Sequence, residues 1–211
     1  NSQDAVDITQ LEAFRQSHKD KVEQQGGKLS LTVFVLKAVA TALKHYPNFN
    51  ASLDSAADEL VLKDYYHVGV AVDTPDGLIV PVIRDVERKS IMDLSVELTE
   101  LVRRTRARQI KVEEMRGGSF TITNAGAMGG GYFAPIINYP EVAILGLGQA
   151  RRQPVVDRAD TRPEPRIVAR LMLPLILSID HRVLDGADAI RFLQMVKQVL
   201  EDPEELLMTM I

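Results

Sequence analysis

The stretch RLMLPLILSIDHRVLDG, residues 170–186, decides how the rest of the chain is arranged around it. Residues 170–179 are almost all apolar, which is typical of a strand buried on both faces. His181 follows that strand, and Asp185 precedes Gly186 at the start of the amphipathic segment 186–200. The stretch therefore predicts a long buried strand, a short turn that carries a histidine, and a last helix.

Three more helices are predicted upstream of this stretch. The apolar segment 31–45 is rich in helix-forming residues and is closed by Pro47, so it predicts a largely buried helix. Thr9 and Glu12 have the spacing of a capping box, which predicts a helix over residues 8–24. The helix predicted to start at Ser90 and Asp93 runs to about residue 108.

Strand patterns alternate irregularly with these helices. Residues 74–77, Thr-Pro-Asp-Gly, have the chemistry of a tight turn and predict a hairpin. Strands are predicted over residues 60–62, 68–72, 78–83, 119–123 and 142–147, and residues 154–165 are predicted to be an exposed connection. The irregular order indicates an α/β fold that is a two-layer sandwich, with a mixed β-sheet covered by helices, and disfavours a doubly wound parallel sheet.

The composition narrows the possible functions. The chain has 211 residues, a net charge of −4 and no cysteine, which suits one globular domain and excludes a disulfide framework or a thiol nucleophile. The sequence has no cluster of basic residues that would indicate nucleic-acid binding. It also has no apolar run long enough to predict a membrane-spanning segment. The one basic run is placed at a predicted helix C-terminus, where cations are favoured, and consists of Arg103, Arg104, Arg106 and Arg108.

His181 is the first candidate for chemistry. A histidine held at the end of a rigid strand is well placed to be a general base. His181 and Asp185 would give a metal too few ligands, so no metal site is predicted. The other histidines, His18, His45 and His67, are interpreted as ordinary surface or core groups.

Other catalytic or nucleotide-binding motifs are incomplete. Gly146 and Gly148 follow an apolar strand, as in a dinucleotide fingerprint, but Arg151 stands where the third glycine is expected. The sequence has no Walker motif and no Gly-x-Ser-x-Gly elbow. A covalent protein intermediate is therefore not expected.

Six blocks of sequence, in order, carry a family resemblance. The main one is Asp180-His181-Arg182-Val183-x-Asp185-Gly186, and the others are residues 7–12, 47–52, 68–78, 120–126 and 135–146. Together they resemble the catalytic domain of the dihydrolipoamide acyltransferases, the E2 components of 2-oxo acid dehydrogenase complexes. A looser form of the main block occurs in chloramphenicol acetyltransferase, which shares their fold. The resemblance covers nearly the whole chain, so residues 1–211 are expected to be a single catalytic domain.

The resemblance implies transfer of an acyl group between dihydrolipoamide and coenzyme A. Thioester exchange needs a base for a thiol and a donor for an oxyanion, and the resemblance assigns these jobs to His181 and Thr123. Asp185 would orient its surroundings or hold the turn, and Asp180 would be structural. The coenzyme A contacts that the resemblance implies are Arg15, Ser30, Asp73, Asn124 and Gly148. Arg15 suits a phosphate group.

The same resemblance implies partners. The family forms trimers whose active sites lie between neighbouring subunits, so His181 and Thr123 would come from different chains. Trimers assemble further into cubic or dodecahedral shells of about 24 or about 60 subunits, which work with E1 and E3 components. The lipoyl domain that presents the acyl group and the peripheral-subunit-binding domain are absent from this chain and are expected before Asn1. The apolar segment 206–211 is expected to dock on a neighbouring trimer, and the expected location is the bacterial cytoplasm, or the mitochondrial matrix in a eukaryote.

Three alternatives remain open. The acyl group is expected to be acetyl, as in pyruvate dehydrogenase complexes, with a branched-chain acyl group as the alternative. A stand-alone acetyltransferase of the chloramphenicol type is disfavoured by blocks 68–78 and 135–146. A non-catalytic core scaffold is disfavoured because both His181 and Thr123 are present.

Overall fold

The computed structural model describes residues 1–157 and 166–203. The strands are β1 (Ser2–Asp7), β2 (Ala51–Asp54), β3 (Glu59–Leu62), β4 (Val68–Val70), β5 (Val72–Thr74), β6 (Gly77–Ile79), β7 (Val82–Ile83), β8 (Phe120–Asn124), β9 (Ala143–Leu147), β10 (Arg151–Val156) and β11 (Ile167–Ile179). The helices are α1 (Thr9–Glu23), α2 (Leu31–His45), α3 (Ile91–Arg106) and α4 (Gly186–Glu201). The predicted docking segment 206–211 and most of the predicted connection 154–165 lie outside the described residues.

One mixed sheet organises the domain. Its strand order is β1-β11-β9-β8-β4-β7, and β10 pairs with the first half of β11. β8 is parallel to both β4 and β9, whereas β11 is antiparallel to its neighbours β1, β9 and β10. Two small hairpins, β2–β3 and β5–β6, complete the strands. The predicted two-layer sandwich with a mixed sheet is confirmed.

The helices cover one face of the sheet. Phe120 and Ile122 of β8 point to this face and are fully buried. Phe192 of α4 stacks on Phe120 with ring centroids 5.6 Å apart and on Phe49 at 4.2 Å. Close stacking of large rings contributes both buried apolar area and ring–ring attraction, so this cluster anchors α4 to the sheet.

The opposite face is covered by an extended segment after β8. Residues 131–137 alternate between partly buried and exposed positions, as a strand does. The ring of Phe133 lies over Gly146 so closely that a Cβ there would stand 2.7 Å from it. Ser178 Oγ donates to the carbonyl of Pro135 at 2.7 Å. A glycine at position 146 therefore allows this segment to lie flat on the sheet.

Most of the predicted elements are present. Helix α2 has the predicted bounds, and α3 starts at its N-cap Ser90 as predicted, where Ser90 and Asp93 form a capping box. The capping box predicted for Thr9 and Glu12 is wrong. The hydroxyl of Thr9 donates to Asp7 and accepts from the N–H of Leu171, so it links α1 to β11 and does not cap the helix.

The strand predictions missed the polar edges of the sheet. The predicted hairpin around residues 74–77 is split, because β4 and β7 pair within the main sheet while β5 and β6 pair outside it. The sequence did not predict β1, because it is largely polar and, among the described strands, pairs with β11 alone. Part of the predicted connection, including Pro154, belongs to β10. Proline is tolerated there because β10 pairs on only one side.

The arginine run of α3 is a solvated helix end with ion pairs. Arg103 and Arg104 pair with Glu100 and Glu114, and Arg108 pairs with Asp76 in the β5–β6 turn. Within the described residues no helix is both long and apolar enough to cross a membrane.

The ring cluster gives a test of the core. Phe192→Ala is expected to lower the free energy of unfolding by about 3–5 kcal/mol, because it removes a fully buried ring and leaves a cavity. Ile190→Ala is the matched control on the same helix, since that side chain is 56% exposed, and it should change stability by less than about 0.5 kcal/mol. Urea unfolding of both variants measures the difference. Equal losses would show that the ring cluster does not anchor α4.

Candidate active site

His181 stands at the end of β11, on an exposed turn. The ladder between β11 and β9 extends one residue past the strand, since the N–H of Asp180 donates to the carbonyl of Val142 at 2.8 Å. The turn is then closed by the N–H of Val183, which donates to the carbonyl of Asp180 at 3.0 Å. His181 thus follows a rigid strand, as the sequence predicted, and the turn leaves it exposed.

Asp180 and Arg182 brace this turn. Arg182 Nη2 lies 2.6 Å from Asp180 Oδ2, and Nε lies 2.9 Å from Oδ1. These hydrogen bonds lower the pKa of Asp180. Arg182 Nη1 also reaches Ser55 Oγ, at 3.4 Å, which connects the turn to the β2–β3 hairpin. The structural role expected for Asp180 is consistent with this pairing.

Asp185 caps helix α4. Its Oδ1 accepts the N–H of Asp188 at 2.8 Å, and Asp188 Oδ2 accepts the N–H of Asp185 at 3.3 Å. The bond from the Asp188 backbone lowers the pKa of Asp185. A carboxylate at a helix N-terminus is favoured by the unpaired N–H groups there. Asp185 therefore holds the end of the histidine turn, and its side chain is tied to α4.

Thr123 lies at the other end of the sheet, near the C-terminus of β8. Its side chain is half-buried on the face away from the helices. The next residue, Asn124, donates from Nδ2 to Thr32 Oγ1 at 3.3 Å and accepts the N–H of Gly126 on Oδ1 at 3.0 Å. Asn124 thus joins the end of β8 to the first turn of α2.

Ser30 and Arg15 lie beside the same first turn of α2. Ser30 is the N-cap residue, but its side chain makes no capping hydrogen bond. Arg15 Nη1 donates to the carbonyl of Leu29 at 3.0 Å, while Nε and Nη2 pair with Glu12 at 2.8 Å each. This pair raises the pKa of Arg15 and lowers that of Glu12. Ser30, Arg15 and Asn124 therefore surround one helix N-terminus.

Asp73 and Gly148 belong to the same end of the sheet. The N–H of Ala71 donates to the carbonyl of Ile122, so β5, which carries the exposed Asp73, leaves the sheet beside the end of β8. Gly148 follows β9 and is buried. A Cβ there would lie 2.2 Å from the carbonyl oxygen of Gly131, so only glycine fits.

The strand register separates the two predicted catalytic groups. Thr123 is level with Gly146, and Gly146 is level with Ile176 of β11. Asp180 lies four residues further along β11, which corresponds to about 13 Å at about 3.3 Å per residue. β11 is also two strand spacings from β8, or about 10 Å across. A single chain therefore does not bring His181 and Thr123 together, whereas Thr123 lies at the same end of the sheet as the five predicted coenzyme A contacts.

The other histidines have local roles. Nδ1 of His18 and of His45 contacts a backbone carbonyl of its own helix, at 2.9 Å and 3.0 Å. His67 Nδ1 accepts the N–H of Asp85 at 3.1 Å, and burial lowers the pKa of His67. Among the described residues no cluster of three histidine, aspartate or glutamate side chains is arranged to hold a metal ion.

Sequence reasoning missed three residues that lie near the His181 end or the Thr123 end of the sheet. Ser55 and Thr32 contact Arg182 and Asn124, but an isolated serine or threonine gives no signal of such a contact. Glu141 is 6% exposed at the start of β9. A glutamate directly before a continuous apolar strand is a usable signal, because carboxylates are rarely buried without a partner.

The chain matches the family model described as 2-oxoacid dehydrogenases acyltransferase (catalytic domain) over residues 1–208. A curated relative is the dihydrolipoyllysine-residue acetyltransferase component of the pyruvate dehydrogenase complex of Cupriavidus necator. It is 47% identical over 205 residues, which cover 97% of this chain and 36% of the relative. The chain thus spans about a third of the length of the curated relatives that it matches.

Solved structures agree with this match. Dihydrolipoamide acetyltransferase of Azotobacter vinelandii, studied for the catalytic roles of a serine, a histidine and an asparagine, has a TM-score of 0.91 and 45% identity, covering 98% of this chain and 82% of that one. The cubic core of a pyruvate dehydrogenase multienzyme complex gives the same values. A chloramphenicol acetyltransferase has a TM-score of 0.57 at 16% identity, covering 94% of this chain and 86% of that one, and shares the fold. The chain therefore belongs to the family of 2-oxoacid dehydrogenase acyltransferase catalytic domains.

Proposed function

We propose that the chain is the catalytic core of an acetyltransferase that moves an acetyl group between dihydrolipoamide and coenzyme A, as part of a pyruvate dehydrogenase complex. The observation that carries the proposal is the division of the site. The base candidate His181 is exposed on a braced turn at one end of the sheet, and Thr123 lies with the predicted coenzyme A contacts at the other end. Two copies of the chain, placed end to end, would complete one site.

The chemistry needs only these two groups. His181 would take the proton from the thiol of coenzyme A, and the thiolate would attack the carbonyl carbon of the acetyl-dihydrolipoamide thioester. The Thr123 hydroxyl would donate to the oxyanion that forms on that carbon. Collapse of the intermediate breaks the bond to the lipoyl sulfur, which takes the proton back from His181. No covalent bond to the protein is required.

The residues around α2 fit a phosphorylated substrate. The N-terminus of a helix favours anions, and Ser30 keeps its hydroxyl free of the cap. Arg15 is already paired with Glu12, but a guanidinium has five N–H donors and uses three here. Asn124, Asp73 and the backbone at Gly148 would supply the neutral and carboxylate contacts. Dihydrolipoamide would come from a lipoyl domain outside this chain.

The catalytic turn has a parallel in the relative from Azotobacter vinelandii. The histidine and the asparagine studied there are four residues apart, as are His181 and Asp185 here. An aspartate at this position retains a side chain that can cap α4. This spacing supports His181 as the base and Asp185 as a residue that positions its turn.

Assembly is the second part of the proposal. Rotational symmetry can bring the His181 end of one copy next to the Thr123 end of the following copy, and this generates a closed ring. The proposed ring is a trimer. The cubic core of the related complex supports further assembly into a shell that works with E1 and E3 components. The bacterial relatives support a cytoplasmic location.

The acetyltransferase proposed here and the branched-chain alternative differ in the acyl group that they transfer. The names of the curated relatives favour acetyl over a branched-chain group. Initial rates with acetyl-, isobutyryl- and succinyl-coenzyme A, each with dihydrolipoamide as acceptor, would test this order. Faster transfer of isobutyryl would favour the branched-chain alternative, and no transfer by folded trimers would favour a scaffold.

The single variants test the two roles. His181→Ala is expected to lower the turnover number by about 10²-fold or more, because the general base is lost.

Thr123→Ala should cost about 3 kcal/mol in transition-state stabilisation, mainly in the turnover number, with little change in the Michaelis constant. Steady-state kinetics with acetyl-coenzyme A measure both. A Thr123 variant that loses only coenzyme A affinity would place that hydroxyl in substrate binding instead.

Mixed assemblies test the division of the site between chains. When His181→Ala and Thr123→Ala chains are co-expressed in equal amounts, a trimer with shared sites should recover about a quarter of wild-type activity, since about one interface in four pairs two intact halves. The control is a mixture of wild-type chains with chains carrying both substitutions, which should behave in the same way. If both groups came from one chain, the first mixture would stay inactive while the control would keep half of the activity.

A further inference from the structure

Glu141 is a buried carboxyl group beneath the strand that carries Thr123. It directly precedes Val142 and β9, and its residue is 6% exposed. Oε1 accepts a hydrogen bond from Asn138 Nδ2 at 3.3 Å. Oε2 is buried and has no hydrogen-bond partner among the residues that the structure describes. Such an orphaned oxygen is costly, so its environment requires an explanation.

Thr121 of β8 supplies the other half of an unsatisfied pair. Its residue is 1% exposed, and its Oγ1 is also buried without a partner in the described part of the chain. The hydroxyl nevertheless stands close enough to Glu141 to lower the pKa of the carboxyl, an effect smaller than that of burial. It leans over Gly69 of β4, where a Cβ would be 2.9 Å from Oγ1. The two polar atoms without partners therefore belong to neighbouring side chains.

Among residues 1–157 and 166–203, no cationic side chain forms an ion pair with Glu141. The backbone of Gly118 packs closely against Glu141. A Cβ at position 118 would lie 3.0 Å from Glu141 Oε1 and 3.4 Å from the side chain of Val82. Arg84, on the far side of Gly117, donates to the carbonyls of Glu113 and Arg116. His67 faces Asp85, and β2 contributes only the backbone bridge of Ser52.

Burial, without an opposing charge, raises the pKa of Glu141 to about 7. A neutral carboxylic acid has one O–H donor, and an acceptor for it is already in place at Thr121 Oγ1. Thr121 and Thr123 are two residues apart on one strand, so their side chains share a face. A bond at Thr121 therefore fixes the strand next to the predicted oxyanion donor.

We propose that Glu141 is a positioning residue that acts as a buried carboxylic acid, donating from Oε2 to Thr121 Oγ1 and so holding β8 and Thr123 in place. The inference rests on the proposed function of Thr123. Ionisation of Glu141 would place an uncompensated charge beneath β8, and the strand would have to yield to admit water. Misplacement of a catalytic group by about 1 Å can cost about 10²-fold in rate.

The direction of the pH effect follows from the raised pKa. The folded protein holds the proton of Glu141 more tightly than the unfolded chain, whose glutamate has its ordinary pKa of 4.5. The stabilising contribution is therefore complete below that ordinary value and is lost as the pH rises through about 7.

Glu141→Gln tests this pH effect, because an amide keeps a donor at the same place and cannot ionise. Turnover should match the wild type near about pH 6 and exceed it above about pH 8, because it follows the protonation of the folded protein. The melting advantage of Glu141→Gln over the wild type should grow as the pH rises from about 4.5 to about 7 and then stay constant. Glu141→Ala and Thr121→Val should lower turnover about tenfold or more at both pH values, with little change in the Michaelis constant. Glu113→Gln is the matched control on an exposed glutamate and should leave both profiles unchanged.

Two outcomes would overturn the proposal. One is a Glu141→Gln profile that follows the wild type at every pH, and the other is a Glu141→Gln variant as impaired as Glu141→Ala. Infrared difference spectra of the wild-type protein across this pH range should show loss of a carboxylic-acid band that the Gln variant lacks, which needs no destabilised variant. If the wild type transfers no acetyl group, the proposed function fails while melting and spectra still test Glu141.

Discussion

The pairing of β8, β9 and β11 is the constraint on which the rest of this domain depends. β8 and β9 run in parallel and β11 returns antiparallel to them, so the C-terminal ends of β8 and β11 face opposite directions. Thr123 and His181 each follow one of those ends. The hydrogen-bond ladder, and not any property of the two side chains, therefore places Thr123 and His181 at opposite ends of the sheet.

The two faces of the sheet serve different purposes. The helix face is filled with aromatic and aliphatic side chains, and it supplies the rigidity on which both site ends rely. The opposite face carries threonine, serine and glycine, which allow the segment after β8 to pack backbone against backbone. A glycine at position 148 or 146 lets chain segments approach closely near the end that carries Thr123, and larger side chains would move that end.

Two buried ionisable groups show how differently the fold treats charge. Lys37 of α2 is 5% exposed, but its Nζ donates to three backbone carbonyls, those of Val86, Glu87 and Lys89, at 3.4, 3.2 and 2.9 Å. Burial lowers the pKa of Lys37, yet its donors are used. Glu141 has no comparable set of donors. Its burial is tolerated more readily when the group is neutral, which gives the domain a sensitivity to pH near β8 that Lys37 does not create.

The sequence by itself determined the main helices, the buried strands 142–147 and 170–179, the turn at residues 74–77 and the family, because these depend on local periodicity and on ordered motifs. It also indicated His181, Asp185 and Thr123 as the residues to examine. Only the tertiary structure decided that β1 and β10 are strands, that Thr9 bonds to β11, and that Asp185 caps α4. It alone placed Thr123 at the sheet end that also holds Arg15, Ser30, Asp73, Asn124 and Gly148, and His181 at the opposite end. The reason is physical, because polar edge strands and side-chain partners are selected by residues that are distant in sequence. The register between neighbouring strands is likewise set by backbone hydrogen bonds that no local sequence pattern encodes.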